Sequence, residues 1–134
     1  MTIINQNTVV VFSSQELKSA LETDNGYTYI FFGSNITLSS GIGISAAKSE
    51  VTIDGTYNET MYEFTDQKKL GASDGIYLTN PKTLKVNVKN MNITGYNYYG
   101  VVYVPEATAY KDTTIEYSKI NYTCLLYTSD AADE

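Results

Sequence analysis

Between Tyr27 and Thr123 apolar positions recur at every second residue: Ile36 and Leu38, Val51 and Ile53, Ile76 and Leu78, Leu84 with Val86 and Val88, Met91 and Ile93, Ile115 and Tyr117. A period of two puts such residues on one face of a strand and their neighbours on the other. Turn formers separate the runs, so the pattern predicts short strands over 27–32, 35–38, 51–54, 62–64, 75–78, 84–89, 91–94, 101–104, 113–117 and 120–123. One segment departs from this rhythm. Ser13 followed three positions later by Glu16 has the form of a capping box, and Leu17, Ala20 and Leu21 fall on one helical face. A short helix is expected there, after the β-branched run Thr8–Phe12, with Asp24-Asn25-Gly26 as its stop. It would cover an otherwise open apolar end of the strands.

Val51-Thr52-Ile53-Asp54-Gly55, Met91-Asn92-Ile93-Thr94-Gly95 and Ile120-Asn121-Tyr122-Thr123 share one frame: apolar, polar, apolar, then Asp or Thr. A recurring strand-and-turn unit fits coils of about 20 to 30 residues joined by loops of variable length. The expected class is therefore all-β, a parallel β-helix with a short N-terminal capping helix. Each coil would lend its inner side chains to a shared core and its backbone to the next coil. The alternative is an antiparallel sandwich. Its hairpin signals are thin: Asp54-Gly55 is one, Asn25-Gly26 follows the predicted helix, and Asp74-Gly75 precedes a strand.

Composition narrows the chemistry. The chain has 13 Tyr and 4 Phe but no Trp and no His, and every basic residue is Lys. A net charge of −6 argues against nucleic acid, which is held by clustered Lys and Arg. No apolar run approaches the roughly 18 residues of a membrane span. Met1–Gln6 has neither the basic nor the apolar region of an export signal, so either that signal is missing from this stretch or the protein stays inside. Residues 124–134, from Cys124-Leu125-Leu126-Tyr127 to Glu134, resemble an in-frame translation of the transposase adapter used in sequencing libraries. They are expected to be a foreign tail, with residues 1–123 the N-terminal part of a longer β-helix domain. On that expectation the only cysteine carries no redox information. The strand over 120–123 would then present an unpaired edge, which favours aggregation.

Two stretches carry a family resemblance: Val51-Thr52-Ile53-Asp54-Gly55-Thr56-Tyr57-Asn58, and the run from Val88-Lys89-Asn90-Met91 through Tyr103-Val104-Pro105-Glu106. Together with the opening strand, the Gln15-Glu16-Leu17 helix and Ile36-Thr37-Leu38, they resemble the pectate-lyase-like adhesive domain of Gram-positive surface proteins. The resemblance covers nearly all of residues 1–123. It implies a right-handed, single-stranded parallel β-helix, an extracellular or cell-wall location, and a role in adhesion.

Catalysis has little to draw on. A pectate lyase needs calcium held by clustered acids and a cationic base, usually Arg, beside the uronate. Here Arg is absent, and the acids Asp54, Glu59, Glu63, Asp66, Asp74, Glu106, Asp112 and Glu116 are scattered along the chain. Hydrolysis by two carboxylates stays open, since stacked coils could bring Asp54 and Glu63 within about 5 to 10 Å. Without His, triad and His-based metal chemistry are excluded, and no cofactor is implied. Binding is the better reading. Tyr96, Asn97, Tyr98, Tyr99 and Tyr103 cluster in sequence, and phenols offer apolar plates with polar tips to a polysaccharide or to a host or matrix surface. The same tyrosines could instead fill or line the coils. The Asn-X-Thr sequons at Asn35, Asn58, Asn92 and Asn121 read as Asn and Thr facing water.

Overall fold

The computed structural model describes residues 1–23, 25–44, 48–66, 75–96, 100–105 and 108–125. The chain begins with an antiparallel hairpin, β1 (Thr2–Asn5) and β2 (Thr8–Val11), followed by helix α1 (Ser14–Glu22). The expected cap is present: Ser13 is extended, and its Oγ accepts a hydrogen bond from the Glu16 amide at 3.2 Å. The Glu16 carboxylate reaches one residue further back than a capping box requires. It accepts from the Phe12 amide at 2.9 Å and pairs with the N-terminal ammonium at 2.9 Å, tying the chain start to the first helical turn. The helix stop differs from the sequence expectation. Thr23 is extended after Glu22, and Gly26, at φ +81°, falls only in the following turn. Side chains take the last carbonyls instead: Asn25 Nδ2 donates to Ser19 O at 3.2 Å, and the buried Lys48 Nζ donates to Ala20 O. Ser19 O also accepts from the Thr23 amide, whereas Ala20 O, in the turn that a helix C-terminus leaves open, is met by the lysine cation and by Asn25 Nδ2 at 3.4 Å. Leu17, Ala20 and Leu21 are wholly buried, and the helix packs on β2 and on β5 (Ile42–Ile44).

Parallel pairing dominates the remainder. β3 (Tyr29–Phe32), β6 (Glu50–Asp54), β11 (Lys85–Gly95) and β13 (Thr114–Cys124) follow β2 as successive parallel neighbours. A second parallel series joins β4 (Ile36–Thr37), β9 (Glu63–Thr65) and the latter half of β11. A third joins β5, β10 (Ile76–Leu78) and β12 (Val102–Tyr103). The other antiparallel pair among the described residues is β7 (Thr56–Tyr57) with β8 (Thr60–Met61). Its two turn residues, Asn58 at φ 50° and Glu59 at φ 66°, both lie in the left-handed region that two-residue hairpins demand. The chain is therefore all-β with one short helix, and its mixed sheets are mostly parallel. An antiparallel sandwich would show the opposite balance.

The sequence predicts separate strands on either side of Asn90 and of Ser118-Lys119. The backbone ladder instead runs through both sites as a bend. Asn90 at φ 57° and Lys119 at φ 53° lie between the register pairs Lys89–Ser118 and Met91–Ile120. The first half of β11 lies on β6 and the second on β9. This corrects the expected repeat. Ile120 does stand opposite Met91, but Val51 stands opposite Val86, so Val51–Gly55 corresponds to the first half of β11 and not to Met91–Gly95. The strands β1, β5, β7 and β8 were not expected from the alternation.

Inner positions fall in rows. Val9, Ile30, Ile53 and Val88 form one; Val51 and Val86 a second; Ile36, Phe64 and Ile93 a third; Ile42, Ile76 and Val102 a fourth, and all of them are buried. The Phe32 and Phe64 rings approach to 6.0 Å between centroids. At β13 the rows reach solvent: Tyr117, opposite Val88, is 46 % exposed and Tyr122, opposite Ile93, is 44 % exposed.

Two stability effects follow from the bend and the cap. A Cβ on Gly55 would lie 2.4 Å from Asn90 O and 2.4 Å from Met91 Cβ, so Gly55→Ala must push backbone against the core. It is expected to lower unfolding free energy by about 2 kcal/mol, read from denaturant melts beside the parent chain. In the same assay Ser13→Ala should cost about 1 kcal/mol through loss of the helix cap; parent-like melting of either variant would contradict its part of the account.

Candidate functional site

With Ile30 and Phe32 turned inward, the alternation of β3 turns Tyr29 and Phe31 outward. Tyr57 arrives beside them from the β7–β8 hairpin, which is clipped back on itself by a 2.8 Å bond from the Tyr62 amide to Gly55 O. The ring centroids of Tyr29 and Phe31 are 4.8 Å apart, and those of Phe31 and Tyr57 are 5.7 Å apart. The planes are tilted by 46° and 51°. All three rings are partly exposed, so the outer face carries an aromatic shelf.

Asp54 anchors this shelf. Its carboxylate is buried and accepts three hydrogen bonds: from Tyr29 Oη at 2.7 Å, from the Thr56 amide at 3.0 Å and from Asn90 Nδ2 at 3.1 Å. The Thr56 bond fixes the corner at Gly55, and the Asn90 bond ties that corner to the bend of β11. Lys89 Nζ lies 5.4 Å from the centre of the Tyr29 ring, within cation–π range. Its contact with Tyr29 raises the lysine pKa, while burial and the Asp54 bond push the Tyr29 phenol above the ordinary tyrosine value. Next along the face, Asn87 Nδ2 donates to Glu50 Oε2 at 2.9 Å and to Thr52 Oγ1 at 3.2 Å, and Lys85 pairs with Glu116 at 3.1 Å. A depression of about 350 Å³ lined by Thr28, Tyr29, Ser49, Glu50 and Thr52 adjoins the shelf.

Of the tyrosine cluster predicted from sequence, Asn97, Tyr98 and Tyr99 lie outside the described residues. Tyr96 follows β11, and its amide donates to the buried Asp66 Oδ1 at 2.6 Å. Tyr103 stands in β12 opposite Tyr77, in the row that continues to Gly43. Tyr96 thus lies just past the end of β11, in no strand, while Tyr103 belongs to the sheet of β5, β10 and β12. The two acids weighed for hydrolysis also fall on different series: Asp54 is opposite Lys89, and Glu63 is opposite Asn92 across the bend. Glu63 is exposed and accepts from Thr65 Oγ1 at 3.3 Å.

Sequence reasoning missed the shelf. Its signal was present in Tyr29-Ile30-Phe31-Phe32, where two aromatics occupy the positions that alternation sends to solvent, but Tyr57 reaches them only through the hairpin. Three of the four Asn-X-Thr sequons, those at Asn35, Asn92 and Asn121, have a plain structural counterpart. Thr37, Thr65, Thr94 and Thr123 form one register row, and Asn121 Nδ2 donates to Asn92 Oδ1 at 2.9 Å in another.

No curated protein and no solved structure gives a significant match. A family model, described as a pectate lyase-like adhesive domain, matches residues 8–125 of the 134. The match takes in every strand from β2 to β13, and with them the shelf and its Asp54 anchor, so the chain belongs to the pectate lyase-like adhesive domain family.

Proposed function

We propose that this chain is a non-catalytic adhesion module of a bacterial cell surface, built as a right-handed parallel β-helix and holding a carbohydrate or matrix partner on its outer face. Family membership supports the adhesive role and a surface location. The repeated path supports the architecture. The chain passes through β3, β4 and β5, then through β6, β9 and β10, then through the two halves of β11 and β12, each step pairing in parallel with its counterpart.

The observation that carries the binding role is the aromatic shelf beside a row of hydrogen-bonding side chains. Rings on a rigid ladder bind with little ordering of the protein. The condition of the acids favours binding over turnover. Asp54, the acid nearest the shelf, spends its carboxylate on three internal hydrogen bonds, and Glu63 faces a separate series. Among the described residues no three acidic or cysteine side chains converge as a cation site would require. The stretch from Tyr96 to Tyr103 remains part of the proposal as a second contact.

The expected behaviour is retention on polysaccharide or matrix-coated surfaces without change to the coating. Incubation with polysaccharides in the presence of calcium should leave reducing ends and unsaturated uronides at background. Calcium-dependent release of unsaturated uronides would replace this reading with that of a β-helix lyase, and new reducing ends without unsaturation would replace it with that of a hydrolase.

A further inference from the structure

The charge around the shelf selects among glycans. β3 and β7, which supply Tyr29, Phe31 and Tyr57, contain no basic residue, nor does β6 beside β3, which brings Glu50 to the face with the buried Asp54 behind Tyr29, and the hairpin turn adds Glu59. The neighbouring strand β11 supplies two lysines on this side, and both are engaged. Lys89 Nζ lies 5.4 Å from the centre of the Tyr29 ring, and Lys85 is paired with Glu116 at 3.1 Å. A polyuronate laid here would place its carboxylates against Glu50 and Glu59, with no uncommitted cation on the shelf strands to receive them. Residues 1–123 add a net charge of −3 to that repulsion, the other three negative charges of the chain being Asp130, Asp133 and Glu134 of the tail.

A neutral sugar meets the opposite situation. Its C–H faces match the partly exposed aromatic rings, and its hydroxyls match the donors and acceptors beside them. The depression next to Tyr29 is lined by Thr28, Ser49, Glu50 and Thr52, residue types whose hydroxyls and carboxylate can accept from and donate to sugar hydroxyls. We infer that the shelf of Tyr29, Phe31 and Tyr57, with the depression at Glu50 and Thr52, is a binding site for a neutral glycan chain, and that it discriminates against the uronate polymers that the family's name suggests. This inference rests on the adhesion reading and adds its ligand class.

Native affinity electrophoresis of the full chain through gels containing mixed-linkage β-glucan, mannan or polygalacturonate tests it, beside Phe31→Ala and the hairpin variant Tyr57→Ala. Circular dichroism reports whether each variant folds, and Tyr57→Ala serves if Phe31→Ala does not. Retardation in at least one neutral gel, none in polygalacturonate, and a loss of about tenfold or more in affinity for the folded shelf variants are expected. Retardation by polygalacturonate alone would overturn the ligand class and leave the adhesion reading in place, as would capture on an immobilised matrix protein with no glycan retardation. Neutral-glycan retardation unchanged in the shelf variants would overturn the location. Cleavage of a gel polysaccharide would overturn the adhesion reading itself.

Discussion

Parallel register is the constraint from which the other features descend. Because neighbouring strands run the same way and pair residue by residue, each side chain has its counterpart directly beside it on the next strand. An apolar position therefore extends a dry row, as Val9, Ile30, Ile53 and Val88 do, and a polar or aromatic position extends a wet one. Burying a Val, Ile or Phe is worth roughly 1.5 to 3 kcal/mol against exposure. Each row adds that increment as it lengthens, while the backbone bonds between strands leave few buried polar groups unpaired. The same constraint exposes Tyr117 and Tyr122, which occupy the inner rows on the last strand with no described strand beyond them.

The bend links this core to the functional face. Non-glycine residues at positive φ cost of order 1 kcal/mol, least for Asn, and Asn90 and Lys119 are held there by ladder bonds on both sides. Gly55 lies against Asn90 and Met91 and leaves room for no Cβ. Asn90 also reaches out to Asp54, and Asp54 in turn receives the Tyr29 hydroxyl. A conformational device that turns the chain around its core thus also fixes the orientation of an outer ring. Packing and the proposed ligand contact share one hydrogen-bonded hub.

Much of the fold was legible, because alternation reports directly which residues face the core. The inward positions of Ile36, Ile53, Val86, Val88, Met91 and Ile93 follow from period two alone, although Leu84 and Tyr117 in the same alternation are exposed, and the helix follows from its cap and apolar stripe. What escaped was long-range. Ile42-Gly43-Ile44 reads locally as a turn because of its glycine, yet it is a strand whose Gly43 makes room for the Tyr77 ring. Sequence places the helix stop at Asp24-Asn25-Gly26, while Lys48, far along the chain, does part of that work. The repeat was aligned on the wrong half of β11 because both halves share an apolar–polar–apolar frame, and only pairing distinguishes them. The candidate site was less legible still: clustering in sequence singled out Tyr96 to Tyr103, whereas Tyr29, Phe31 and Tyr57 are gathered by a strand and a hairpin.

The parallel direction of β13 beside β11 can be read by cross-linking. With Cys124→Ser as background, the double variant Asn92→Cys with Asn121→Cys should form an intramolecular disulfide under mild oxidation, since these residues face one another and their side chains already touch. Lys85→Cys with Thr123→Cys, at opposite ends of the parallel ladder, should remain reduced. Cross-linking of the second pair and not the first would mean that the two strands run in opposite directions, and the stacked rows would have to be abandoned.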